Sequence, residues 1–95
     1  MTTEEKDIEM MKDINNWTEI TKGIYRFAIS SDFCYEIHLL YWFYDTDILT
    51  AKASAYAVGD WKTNRRVYER ECLLSRQPLF SCVGAAIRDY KGQLY

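Results

Sequence analysis

The stretch FCYEIHLLYWFYDTDILTAKASAYAV, residues Phe33–Val58, decides the fold. It reads as two strands, Cys34–Tyr44 and Ile48–Val58, turned back at Asp45-Thr46-Asp47, where short polar side chains supply turn chemistry. Successive strand residues point to opposite faces. Tyr35, Ile37, Leu39, Tyr41 and Phe43 therefore share one side, and His38, Leu40, Trp42 and Tyr44 share the other. The returning strand alternates Leu49, Ala51, Ala53, Ala55 and Ala57 with Thr50, Lys52, Ser54, Tyr56 and Val58. A three-residue loop pairs Tyr44 with Ile48 and sets the alanines on the face of Ile37 and Leu39, giving one apolar face for a core. A two-residue loop would reverse that match, because a one-residue slip moves every side chain to the opposite face. The three-residue register is the one expected.

Working outward, Thr18–Ile29 predicts a preceding strand interrupted at Gly23, and Arg66–Ser75 a following one. Residues 3–16 predict a helix. Thr2 and Glu5 suit a capping box, acids crowd the first turn, and Ile8, Met11 and Ile14 form a stripe narrow enough for a surface helix. Pro78–Tyr90 predicts a second helix with proline in its first turn, Ser75 or Gln77 as cap, and Lys91-Gly92 as stop. Leu79, Cys82, Val83, Ala86, Ile87 and Tyr90 fall on one helical stripe. The alanine row and Gly84-Ala85-Ala86 allow helix and sheet to approach closely. The expected fold is α+β: a single domain over residues 1–95, with a four-stranded antiparallel meander flanked by an N-terminal and a C-terminal helix. The C-terminal helix covers one face, and the N-terminal helix lies on the same face or at the sheet edge.

Ninety-five residues suffice for one small core. No apolar run is long enough to cross a bilayer. The N-terminus MTTEEKDIEMMKD lacks the apolar segment of a secretory signal, which makes a cytoplasmic location the expectation. Cys34, Cys72 and Cys82 are odd in number and widely spaced, which suits reduced structural cysteines better than a disulfide framework or a zinc site. The net charge of −2 hides an asymmetry: four cations against ten carboxylates in residues 1–47, and eight against four in residues 48–95. Such a chain can balance its own charges across the fold or present two poles to partners.

No pattern carries catalytic chemistry. His38 is the sole histidine. Glu36 shares its strand face, but Cys34 stands four residues away, roughly 13 Å along a strand, too far for proton transfer. Asp32, Asp45 and Asp47 lack the ligand number and turn glycine of a calcium loop. The glycines are isolated and form no phosphate cradle. The expectation is a non-enzyme with no metal, cofactor or small-molecule substrate.

A domain this small covers one face of its sheet, so the second aromatic face is expected to bind a protein partner or a second copy of the chain. It would do so through His38, Trp42, Tyr44, Lys52 and Tyr56, with Trp61, Arg65 and Arg66 in the adjoining loop. This describes a non-catalytic regulatory or inhibitory interaction domain, with a homodimer as the simplest use of the face. The alternative is nucleic-acid association through the basic segment Trp61–Arg76, where cations stand beside an aromatic ring. The overall acidity and the interleaved Glu69 and Glu71 weigh against it.

Overall fold

The structure is a computed structural model. It describes residues 2–44, 48–59, 64–73 and 77–94, with the backbone alone for 41–44, 48–51, 72–73 and 93–94. The chain runs α1 (Thr3–Met11), a 3-10 turn (Ile14–Asn16), β1 (Thr18–Thr21), β2 (Ile24–Ser30), β3 (Phe33–Tyr44), β4 (Ile48–Val58), β5 (Arg65–Leu73) and α2 (Pro78–Leu94). All neighbouring strands are antiparallel, in the order β1-β2-β3-β4-β5.

The sheet thus has five strands rather than the expected four. The segment taken as one interrupted strand folds back at Lys22-Gly23, and Thr21 pairs with Ile24. Gly23 has φ +85°, a conformation that glycine adopts at little cost and that the third position of a type II turn demands. It is also pressed against β3. Its carbonyl accepts the Leu39 N–H at 2.7 Å, and a Cβ there would lie 2.5 Å from the Leu39 carbonyl oxygen.

The first helix is shorter than expected. Thr2 caps it, its Oγ1 accepting the Glu5 N–H at 3.2 Å. It ends at Met11, because Asp13 leaves helical geometry and caps the separate 3-10 turn by accepting the Asn15 N–H. Its stripe is nonetheless core: Ile8 is buried and Met11 is fully so. At the other end α2 runs on through Gly92 to Leu94 instead of stopping there. Gly92 does not adopt the left-handed conformation of a helix stop. Gln77 precedes α2 with φ 52°, and its carbonyl accepts the Phe80 N–H. Ser75, the other expected cap, lies outside the described residues.

The hairpin register is the expected one. Tyr44 pairs with Ile48, Ile37 with Ala55 and Leu39 with Ala53. α2 packs on β3, β4 and β5, and Ala53, Ala55 and Ala57 are fully buried together with Cys82 and Ala86. Side chains without γ-carbons let the helix axis sit close to the sheet, which is how a short chain reaches interior packing density. α1 packs against α2 on the same side, where the Tyr90 hydroxyl donates to Asp7 Oδ2 at 3.3 Å. Trp17 closes this layer: its Nε1–H donates to the Met11 carbonyl at 2.9 Å and its ring lies 5.6 Å from that of Phe27.

One polar knot joins three elements of the covered face. The Tyr35 hydroxyl on β3 donates to Asp89 Oδ2 of α2 at 2.7 Å. Arg65 of β5 donates to both Asp89 oxygens, at 2.6 and 2.9 Å. Burial and the neighbouring Asp89 carboxylate push the Tyr35 phenol well above its ordinary value. Among the described residues no helix is long and apolar enough to cross a membrane.

Candidate functional site on the open sheet face

The face turned away from α1 and α2 is built by the alternate residues of β2 to β5. Its centre is Glu36. Arg26, directly opposite on β2, donates from Nε at 3.1 Å and from a terminal nitrogen at 2.7 Å to Glu36 Oε2. His38, two residues along β3, places Nε2 3.0 Å from Oε1. The His38 ring meets Tyr56 edge-on with centroids 4.8 Å apart, an offset geometry favoured by the ring quadrupoles. Burial pushes the Glu36 carboxyl up, but His38 and Arg26 outweigh it and hold the group below the ordinary carboxylate value.

A second cluster surrounds Glu69 on β5. Lys52 Nζ is 3.2 Å from Oε1 and Arg66 is 3.0 Å from Oε2, and the Ser54 hydroxyl donates to Oε1 at 3.4 Å. Lys52, with Arg66, lowers the Glu69 carboxyl. Ser54 is only 4 % exposed although it faces away from the core, because the long side chains of this cluster roof it over. Between the two clusters lies a shallow depression of about 190 Å³, lined by residues that include Ile24, His38, Leu40, Lys52 and Tyr56. Leu40 stands at its rim with 63 % of its surface exposed.

Of the residues expected to form a binding surface, His38, Lys52 and Tyr56 come together here. Trp42 and Tyr44 continue the same backbone row, paired with Thr50 and Ile48, but their side chains lie outside the described residues, as does all of Trp61. Arg65 and Arg66 part company. Arg65 is opposite Ala57 and Arg66 opposite Tyr56, so the first reaches Asp89 on the helix side and the second Glu69 on the open side. The described cations of the basic segment are therefore divided between two faces. Glu69 as a hub was missed, because it depends on a register shift in the β4–β5 pairing between Ala55 and Tyr56. The shared strand face of Glu36 and His38 was legible in the sequence; their contact is shown by the structure. Cys34, a free thiol, is raised by burial and by the nearby Glu36 charge, the opposite of what activates a thiol nucleophile. Among the described residues no group of three His, Cys, Asp or Glu side chains could hold a metal; Asp45 and Asp47 lie outside them.

No protein-family model, no curated protein and no solved structure matches this chain.

Proposed function

We propose that this chain is a small non-catalytic interaction domain that binds a protein partner through the open sheet face, with a second copy of itself as the simplest partner. The observation that carries this reading is Leu40, a large aliphatic side chain 63 % exposed beside charges already satisfied by their own neighbours. Arg26, Glu36, Lys52 and Glu69 are held in ion pairs within the face, so burying them against a partner leaves no charge uncompensated. Such an interface sets an exposed apolar side chain among polar groups whose hydrogen bonds are already in place. The nucleic-acid alternative has less support, since Arg65 and Arg66 are engaged by carboxylates on opposite faces and form no continuous cationic track.

The test is solution mass by light scattering, in the parent and in the Leu40→Asp and Trp42→Ala forms. The expected result is a parent dimer and Leu40→Asp a monomer with the circular dichroism spectrum of the folded parent. A parent that stays monomeric at every concentration, or a Leu40→Asp variant that stays dimeric, removes self-binding through this face.

A further inference from the structure

The outer edge of the sheet carries a second, independent surface. Among the described residues β5 pairs only with β4, so its other edge offers unpaired backbone groups. Charged side chains on an edge strand ordinarily guard against edge-to-edge aggregation, but beyond the register shift those of β5 are sorted by face. The helix side presents Arg65 and Arg70, opposite Ala57 and Ala53, and the open side presents Glu69 and Glu71, with Arg66 before the shift paired to Glu69. Arg88 of α2 joins the helix side, where a groove of about 460 Å³ runs between β5 and α2, lined by Arg65, Arg66, Tyr68, Ala85, Arg88 and Asp89 among others; Arg70 stands on the same side of β5, outside that lining. Arg65 is taken up by Asp89. Arg70 and Arg88 are exposed and make no ion pair with any described residue.

This sorting selects the partner. The register shift leaves Val67 as an extra residue, so the regular edge is the run Tyr68–Leu73. A second copy paired antiparallel about a two-fold axis centred on Glu69, Arg70 or Glu71 sets that residue against itself, and like charges directly opposite are destabilising. A strand with carboxylates on its helix-side residues instead meets Arg70 and Arg88 while its backbone completes the open edge. We infer that the β5 edge and its arginine groove dock an extended acidic segment of another protein, with carboxylates at alternate positions, as a sixth strand. Backbone pairing supplies affinity in such additions, and the alternating side chains supply selectivity.

The test uses a short blocked peptide of alternating glutamate and threonine, with an alternating lysine–threonine peptide and oligothymidine as competitors of different chemistry. Binding is read by fluorescence anisotropy and by amide hydrogen exchange. The expected result is binding of the glutamate peptide with new protection of amides in Tyr68–Leu73. Binding should weaken at least about tenfold in Arg70→Glu and in Arg88→Glu and stay unchanged in Leu40→Asp, which separates this edge from the open face. The proposal is overturned if no β5 amide gains protection at millimolar peptide, if the lysine peptide binds equally well, or if both arginine variants bind like the parent. Binding of oligothymidine alone, dependent on the same arginines, would also overturn it and assign the groove to nucleic acid.

Discussion

The two faces of β3 are made by one strand of alternating residues, yet they differ in kind. Tyr35 and Ile37 are fully buried on the covered face, while Leu40 is largely exposed on the other. On the covered face apolar contact does the work, and polar atoms appear at the rim, in the Tyr35–Asp89–Arg65 knot. On the open face charged groups carry the order: Glu36 and Glu69 each gather two cationic or imidazole partners. Hydrophobic burial scales with the apolar area removed from water, whereas partly exposed ion pairs gain little net energy. The covered face therefore holds the fold together, and the open face can change without unfolding it.

The sharpest way to break that comparison is a pair of truncations three residues apart on β3. Ile37→Ala should cost about 2–5 kcal/mol, since it opens a cavity under α2. Leu40→Ala, at dilutions where the chain is monomeric, should stay within about 0.5 kcal/mol. Urea denaturation measures both. Equal losses would mean that the open face is not open in the folded protein.

A smaller effect is expected at the turn that makes the fifth strand. Gly23→Ala must hold a left-handed conformation, at roughly 1–2 kcal/mol, and must also relieve the contact with the Leu39 carbonyl. Hydrogen exchange should show early opening confined to β1 and β2. A variant as protected as the parent there would remove the claimed requirement for glycine.

The smallest effects are those of pH, and one group on each face shows them: Tyr35 at the alkaline end and Glu36 at the acid end. The Tyr35 phenol is raised in the folded protein. The stability it contributes is complete below the ordinary tyrosine value of about 10 and is lost as pH climbs above it. Glu36 is lowered, so its contribution is present above the ordinary carboxylate value, about 4.3, and fades as pH falls through the lower folded value. Tyr35→Phe should flatten the alkaline limb of the stability curve in part, leaving the slopes due to Tyr90, which burial and Asp7 also raise, and to the Cys34 thiol, which burial and Glu36 raise. Glu36→Gln should flatten the acid limb in part, leaving the slope due to Glu69, which Lys52 and Arg66 also lower. If each variant altered the other limb instead, the assignment of these groups would be wrong.

Several of these features were legible in the residues. The alanine row of β4 faces the bulky row of β3 in the register that the apolar pattern demands, and the apolar stripe of α2 lies over it. The common strand face of Glu36 and His38 was legible, and it allowed the contact that the structure shows. The β1–β2 hairpin was not read, because a Lys-Gly dipeptide is a weaker turn signal than Asn-Gly and the flanking residues continue a strand-like pattern. The early end of α1 was hidden for a related reason: Ile14 keeps the helical spacing while Asp13 competes for backbone N–H groups as a cap.

By itself the sequence determined the α+β class and favoured the hairpin register that the structure adopts; which face of β3 is covered was settled by the packing of α2. The class and the register rest on side-chain periodicity and volume, which are local properties of the chain. Only the tertiary structure decided that Arg65 and Arg66 separate onto two faces, that Asp89 ties α2 to β3 and β5, and that Glu69 gathers Lys52, Ser54 and Arg66. Each joins residues distant in sequence, and which of them meet depends on strand register and on a single extra residue in β5, quantities set by the packing of the whole sheet rather than by any one segment.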